Sequence, residues 1–468
     1  MARRTKIVAT LGPACEDEAG VESLLRAGVD VVRLNLSHGP LEDHLRRLAT
    51  VRTVAGRLGR PVAALADLPG PKVRAGTFGD GGVHLEPGDV VRLVPGDRPS
   101  TAGRITIDEP QALDNVTVGD QIVLGDRGSS LRVTASEPGG VVAEVETGGH
   151  LQGRPGVHVP SARVQMRAPT AGDLTLADAV ASVGVEYVAL SFVRAPDDVA
   201  ELRAVVGDRA GLVAKVETAA ALENLTGIIE AADAVMVARG DLGIDVPLEE
   251  VPHLQKLIVR QCVDRAVPVI TATQMLESMV DAPAPTRAEV SDVANAVLDG
   301  TDALMLSGET AIGRHPARVV ATMSRIAARA EADESNGAAS AHVVTGDLIT
   351  AAVTHAAWQA ALDARATAIL CCTRTGRTAR AMASFRPTAR LIGVSPDPRT
   401  VQSLALSWGV EPIRVEEYAT SEEMVRFAVQ AAMDHGLVDR GEVVLVLAGA
   451  PGRTSGAATD VLRIVRTL

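Results

Sequence analysis

With 468 residues, of which 46% are apolar and 22% charged, the chain has the composition of a globular protein and the length for two or three domains. A formal net charge of -12 and an aromatic content of 2% speak against nucleic acid as a partner, whereas an anionic small substrate would need only locally clustered Arg and Lys. No apolar run approaches membrane-spanning length and the opening Met1-Ala2-Arg3-Arg4-Thr5-Lys6 is no secretory signal, so a cytoplasmic protein with no membrane partner is expected.

In chain order, the first two thirds repeat one unit: a short β-branched run, a polar end, then a helical stretch. The runs are Lys6 to Thr10, Val31 to Ser37, Pro61 to Asp67, Tyr187 to Val193, Gly211 to Glu217, Ala234 to Asp241, Pro268 to Gln274 and Ala303 to Glu309. Amphipathic segments such as Ala219 to Ala232 and Glu249 to Ala266 lie between them. Eight such units predict an α/β fold, a (β/α)8 TIM barrel, over residues 1–72 and 167–334.

One gap breaks the rhythm, between the third run and the fourth. From about Val73 to Met166 the chain is rich in Gly and alternates in twos, as in Val90-Val91-Arg92-Leu93-Val94 and Val141-Val142-Ala143-Glu144-Val145. This predicts an inserted small β-barrel over 73–166, placed on the barrel's active face as a lid. Glu331 to Gly346 reads as a linker or an exposed helix end. Beyond it, strands Ala368 to Thr373, Arg390 to Val394 and Glu442 to Leu447 predict a C-terminal α/β domain over 345–468. Cys15, Cys262, Cys371 and Cys372 have no metal-ligand spacing and read as reduced core residues.

In barrel enzymes the reacting groups gather at the C-terminal ends of the strands. Those ends carry Arg33, Asn35, Ser37 and His38; Asp67, then Lys72 and Arg74; Ser191, Phe192 and Arg194; Lys215 and Glu217; Arg239, Gly240 and Asp241; Thr271, Thr273 and Gln274; Ser307 and Glu309. Lys215 and Glu217, two apart on a strand, leave the same face and converge at the mouth. Glu217 and Asp241, from neighbouring strands, can offer oxygens to one Mg2+ (or Mn2+) whose shell is completed by water and substrate. The same Lys-Glu pair can instead be a structural closure of the barrel. Arg33, Arg74 and Lys215 bring three positive charges to this mouth, a balance that suits phosphoryl transfer, where the protein neutralises charge and does little covalent work. The glycines of Ala238-Arg239-Gly240-Asp241-Leu242-Gly243 either bare backbone N–H groups for a carboxylate, beside Thr273, or make a plain turn.

These stretches together resemble the pyruvate kinase family over nearly the whole chain: RRTKIVATLGPA from Arg3, AGVDVVRLNLSHG from Ala27, MVARGDLG from Met236, TATQMLESM from Thr271 and PTRAEVSDVANAVLDGTDALMLSGETA from Pro285. The resemblance implies phosphoryl transfer from phosphoenolpyruvate to ADP, a mobile lid, a C-terminal effector domain and a homotetramer. It assigns Lys215 to the transferring phosphoryl group and enolate oxygen, Glu217 and Asp241 to Mg2+, and Gly240, Asp241 and Thr273 to the substrate carboxylate, with Ser191 beside them. Arg33 and Arg74 match phosphate-binding arginines, and Asn35, His38 and Arg74 fall at the nucleotide. Asn35, Ser37, Asp67 and Leu68 match a monovalent-cation pocket. Thr273 and Ser307 lie on the strands from which the enolate is protonated, and either would need a water chain or a coupled partner such as Glu309.

Departures from the family pattern sharpen the reading. Asp67 to Arg74 reads DLPGPKVR where DTKGPEIR is common, so Lys72 stands for a glutamate that accompanies bound K+; its ammonium is expected to supply the charge K+ would bring, making K+ dispensable. Gly172 stands where a nucleotide-contacting lysine is common, and Asp126-Arg127-Gly128 replaces a pair of aspartates. The loop Thr373-Arg374-Thr375-Gly376-Arg377-Thr378, between a strand and a helix, resembles one that holds an effector's phosphate, which implies a phosphorylated small-molecule effector. Two other classes stay in view: a barrel lyase or aldolase with a metal-bound enolate, which does not need the three cations, and a sensor that has lost turnover, against which Lys215, Glu217 and Asp241 stand.

Overall fold

The computed structural model describes residues 3–125, 129–160, 163, 167–332, 347–449 and 458–468. Asp126-Arg127-Gly128 and most of the proposed linker, 333–346, lie outside the described residues.

Eight strands, β1 (Lys6–Thr10), β2 (Val31–Asn35) and β3 (Ala63–Asp67), then β12 (Tyr187–Leu190), β13 (Gly211–Val216), β14 (Ala234–Ala238), β15 (Val269–Ala272) and β16 (Ala303–Leu306), close into a parallel barrel. Between β3 and β12 the chain makes β4 (Phe78–Leu85), β5 (Val90–Pro95), β6 (Arg104–Ile107), β7 (Gln121–Leu124), β8 (Ser129–Glu137), β9 (Gly140–Thr147), β10 (Gly149–Gly153) and β11 (Val157–His158). Six of these pair in the order β11-β7-β8-β9-β5-β6, while β10 pairs β4, and the two sheets share one apolar core from Val73 to Val157.

A third sheet follows, ordered β19-β18-β17-β20-β21 from β17 (Ala368–Cys372), β18 (Arg390–Ser395), β19 (Val410–Arg414), β20 (Val443–Ala448) and β21 (Val461–Arg466). The sequence reading found its three central strands. The two edge strands it missed are β19, which carries Pro412, and antiparallel β21, where Arg463 and Arg466 break the apolar run.

Barrel strands are buried on both faces, which is why they read as unbroken Val, Ala and Leu runs. The outer residues pack on the helices, and the inner ones, among them Val8, Leu65, Tyr187, Met236 and Met305, fill the barrel. Ala405 and Leu406 of the C-terminal segment join that inner cluster and plug the barrel floor, where Tyr187 Oη donates to Ser403 O at 2.9 Å. Burying Leu406 there contributes about 1.5–3 kcal/mol. Trp408 sits between the Arg4 and Arg386 guanidiniums, 5.3 and 4.9 Å from its ring centre.

Several elements are shorter than the sequence predicts. The strands stop at Val216, Ala238, Ala272 and Leu306, so Glu217, Asp241, Thr273 and Ser307 lie beyond them. Asp241 belongs to a short helix, Arg239–Asp245, and Glu309 to Gly308–Ala311. The predicted helix Ala219 to Ala232 is two helices, Ala219–Glu223 and Leu225–Ala231, broken at Asn224, whose side chain donates instead to Arg194 O and Ala220 O. All four cysteines are buried and unbonded to one another. No described helix is long and apolar enough to cross a membrane.

Candidate active site

At the C-terminal mouth of the barrel the end of each strand sets one polar group against the next. The Arg33 guanidinium, at the end of β2, donates to Asp67 Oδ2 at the end of β3 through Nε at 2.8 Å and Nη2 at 2.7 Å, and to Thr10 Oγ1 at 3.0 Å. Asp67 Oδ1 faces Lys215 Nζ at 3.3 Å. Lys215, on β13, donates to Ser191 Oγ at 2.7 Å and stands 3.4 Å from Glu217 Oε2. Ser191 Oγ in turn donates to Leu68 O at 2.8 Å, and the Phe192 N–H donates to Glu217 Oε1 at 2.6 Å.

These groups are almost dry: Asp67 is 1% and Glu217 2% exposed. Their protonation follows from burial and from the charges around them. Three cations, Arg33, Lys215 and Lys72, meet three carboxylates, Asp67, Glu217 and Asp241. Burial drives Glu217 up, the neighbouring Asp241 and Asp67 add to the push, and Lys215 only partly offsets them, so its carboxyl rises to about 7. Burial alone would lower Lys215, but Asp67, Glu217 and Asp241 outweigh it and hold it above its ordinary value. Burial would raise Asp67, yet Lys215 and Arg33 pull it below the usual carboxylate range.

Glu217 Oε2 and Asp67 Oδ1 are buried oxygens with no hydrogen-bond donor, only the looser Lys215 ion pairs. With Asp241 contributing to the field at Glu217, this donor set fits a hard divalent cation. Among the described residues no group of three or more His, Cys, Asp or Glu could hold a metal, so substrate and water oxygens would have to complete its shell.

A cavity of about 820 Å3 opens above the cluster, between the barrel mouth and the inserted sheets. Arg33, Asn35, Ser37, His38, Asp67, Lys72, Arg74, Ser191, Lys215, Glu217 and Asp241 line it from the barrel side, with His150, Gln152, Arg154 and His158 opposite. Gly240, Thr273, Ser307 and Leu68 do not line it. Gly240 and Thr273 adjoin it through Asp241, because the Gly240 N–H donates to Thr273 Oγ1 at 2.9 Å. A Cβ at Gly240 would make only ordinary contact with Thr273 at 3.5 Å, so packing within the protein does not demand glycine there.

Ser307 is held by its N–H on Glu309 Oε2 at 2.6 Å, while Glu309 Oε1 takes the Leu276 N–H at 3.2 Å. Glu309 thus ties two loops together through backbone groups; it does not bond the hydroxyl of Thr273 or Ser307, which corrects its expected role as their coupled partner. Asn35 Oδ1 accepts from the Ser37 N–H at 3.3 Å, and Leu68 O already receives Ser191, while Asp67 Oδ1 in the expected monovalent-cation pocket is a buried oxygen without a donor. Lys72 reaches solvent but its ammonium stands in the cleft, where burial and then Lys215 lower it against the pull of Asp67. The Arg74 backbone is fixed at the lid junction, its N–H on Asp108 Oδ1 at 2.8 Å, while Asp108 Oδ2 takes Arg154 at 2.8 Å.

Three residues act as supports in ways the sequence did not show, although Arg239 was named there at the end of its strand. Asp173 closes a capping box on Thr170 and reaches across to the Gly70 N–H at 3.0 Å, pinning the loop that carries Lys72. Gly70, at φ +68°, has no room for a side chain, since a Cβ would fall 2.8 Å from Ser191 and Phe192. Arg239 donates to Thr273 O at 2.7 Å. Only the capping spacing of Thr170 and Asp173 was a signal open to sequence. Gly172 is exposed on the first turn of that helix, outside the cavity lining.

In the C-terminal sheet, Gly376 caps the short helix Arg377–Ala383 and its N–H donates to Thr373 Oγ1 at 2.9 Å. Arg374 makes an exposed pair with Glu417 at 2.6 Å and Arg377 pairs with the half-buried Asp347 at 3.9 Å, while Thr378 meets Thr459 at 2.6 Å in the interior. Thr375 is exposed.

Comparison with known proteins gives the same picture for the whole chain. Residues 2–320 match the family model "Pyruvate kinase, barrel domain" and 351–465 match "Pyruvate kinase, alpha/beta domain". The chain is 41% identical over 474 residues to a pyruvate kinase of Geobacillus stearothermophilus, covering 99% of this chain and 80% of that one. It is 37% identical over 475 residues to one of Clostridium acetobutylicum, covering 99% of each, and 38% identical over 469 residues to one of Mycobacterium tuberculosis, covering 100% and 99%.

Proposed function

Because this chain belongs to the pyruvate kinase family, it is a phosphotransferase that moves the phosphoryl group of phosphoenolpyruvate onto ADP, giving pyruvate and ATP in the last step of glycolysis, and we propose that the Arg33, Asp67, Lys215 and Glu217 cluster carries that transfer. The observation that supports the assignment most directly is the buried Lys215 ammonium, held among Ser191, Asp67 and Glu217 beneath an open cavity.

A divalent ion, Mg2+ or Mn2+, would be held by Glu217 and Asp241 and would supply positive charge against the oxygens of the transferring group. Lys215 faces the same oxygens and stays protonated because its three carboxylate neighbours hold its proton. Arg33, oriented by Asp67, presents its remaining N–H groups to the phosphoryl oxygens. As the bond to the enol oxygen breaks and one to the ADP β-phosphate forms, charge moves towards the enolate oxygen, where Lys215 offsets it. The Asp241 N–H, with the Gly240 N–H and Thr273 hydroxyl once these exchange their bonds to Thr273 Oγ1 and Ala272 O, holds the substrate carboxylate, and the enolate takes its proton on the Thr273 and Ser307 side. Ser191 keeps Lys215 aimed. Asn35, His38 and Arg74 meet the nucleotide from the barrel side of the cleft.

Lys72, in the field of Asp67 and Asp241, supplies the positive charge of a monovalent ion, so K+ is not required. The loop Thr373 to Thr378 binds the phosphate of a small effector. A homotetramer fits two separate apolar exposures, Leu298 beside Ile326 on the barrel helices, and Leu348, Ile349 and Ile464 in the C-terminal part. Following phosphorus by NMR tests the reaction assignment: the phosphoenolpyruvate signal should pass into the γ-phosphate of ATP, and release as inorganic phosphate in the presence of ADP would contradict it.

A further inference from the structure

Two consecutive residues after β15, neither of them glycine, lie in the left-handed region: Thr273 at φ +66° and Gln274 at φ +53°. For a β-branched residue this conformation is costly and persists only where its surroundings hold it. Here one guanidinium does the holding. Arg239 donates through Nη2 to Thr273 O at 2.7 Å and through Nε to Ala272 O at 3.2 Å. In an extended strand successive carbonyls point to opposite sides, so a single planar fork reaches both only where the chain turns.

The fork is itself fixed. Its Nη1 meets Asp292 Oδ1 at 2.7 Å and Gln255 Oε1 at 3.2 Å, Gln255 is tied to Asp299 at 2.8 Å, and Nη2 lies 2.8 Å from Met275 Sδ. The Arg239 side chain is 10% exposed and does not line the cavity. The next residue completes the grip, since the Gly240 N–H holds Thr273 Oγ1 at 2.9 Å while that hydroxyl donates to Ala272 O at 2.7 Å. Side chain and backbone of one dipeptide thus clamp the Thr273 turn at its carbonyls and at its hydroxyl.

We propose that Arg239 is a positioning residue for the reaction: it touches no substrate, and it acts by holding Thr273 in the left-handed turn that presents Oγ1 beside the Gly240 N–H. The inference rests on the reading of Thr273 as a group on the substrate side. Lysine in place of Arg239 would keep the charge but lose the fork, so Thr273 would relax towards extended backbone and its hydroxyl would leave the carboxylate and the enolate face.

The test is a double-variant cycle of Arg239→Lys with Thr273→Ala, reading kcat, the KM of each substrate, and the exchange of pyruvate methyl protons with deuterated water by NMR. That exchange reports proton transfer without phosphoryl transfer. Arg239→Lys should lower kcat and methyl exchange by about tenfold or more and leave the ADP KM within about twofold, while in the Thr273→Ala background it should cost less than about twofold further. Asp292→Asn should shift the same quantities in the same direction by less, and it carries the test if thermal melting shows that Arg239→Lys does not fold. A folded Arg239→Lys with wild-type kcat and exchange, or losses that multiply in the double variant, would overturn the proposal. Full exchange and kcat in Thr273→Ala alone would remove the reading of Thr273, and the proposal with it.

Discussion

Arg33 and Asp67 meet through two nitrogens on a single carboxylate oxygen, at 2.8 and 2.7 Å, which leaves the other oxygen to Lys215 at 3.3 Å. One buried carboxylate therefore serves two buried cations. Asp67→Asn would keep the shape and leave both cations short of charge, so it should destabilise the fold by about 3–5 kcal/mol, and turnover should fall with it. Denaturant unfolding of wild type and variant measures this; a loss under about 1 kcal/mol would show that the cations do not depend on Asp67.

Glu217, as the proposed metal ligand, would connect proton and metal. Its carboxyl is raised in the folded protein from 4.5 to about 7, so the fold binds an extra proton between those values and the metal-free protein loses stability as pH rises through that window. A divalent ion competes with that proton. Affinity for Mg2+ or Mn2+ should therefore fall as pH drops below about 7, with close to one proton released per ion bound near pH 6. Calorimetry in buffers of different ionisation enthalpy counts the proton, and binding without release at that pH would contradict the raised Glu217 carboxyl as the metal's ligand.

Lys72 separates two accounts of the monovalent charge. Wild type should turn over without K+, and Lys72→Glu should lose most of that turnover and regain it many-fold when K+ is added, because the substitution reverses the charge facing Asp67. Rates in potassium and in tetramethylammonium salts read the difference. Strong K+ activation of the wild type would discard this role.

The loop from Thr373 to Thr378 has its arginines in ion pairs with Glu417 and Asp347, the first of them exposed and weak enough to be exchanged for a phosphate. Titrating sugar phosphates and AMP should shift the phosphoenolpyruvate saturation curve for at least one of them, and Thr375→Ala should reduce that shift several-fold with the unactivated curve unchanged. No shift with any of these ligands would count against the site.

The barrel was legible because strands buried on both faces must be apolar throughout, and because the polar residues ending them break those runs visibly. Lys215 and Glu217 were found that way; the strand stops at Val216, so only Lys215 lies on it, and their charged atoms stand 3.4 Å apart. Arg239 was not legible as a clamp, since its partners Asp292, Gln255 and Thr273 come from three other elements and only the closed barrel brings them together. The left-handed turn at Thr273 goes against local preference, so no reading of propensity would place it. Strands β19 and β21 escaped for a related reason: edge strands carry the Pro and Arg residues that a central strand excludes.

The most direct test of the account is the rate of pyruvate formation from phosphoenolpyruvate, ADP and Mg2+ in wild type and in Lys215→Met, with metal binding measured on both. The account predicts turnover in the wild type and a loss of about a thousandfold or more in the variant, which keeps Glu217 and Asp241 and still binds the metal. A folded, metal-binding Lys215→Met that turns over near the wild-type rate would contradict the central role given to Lys215.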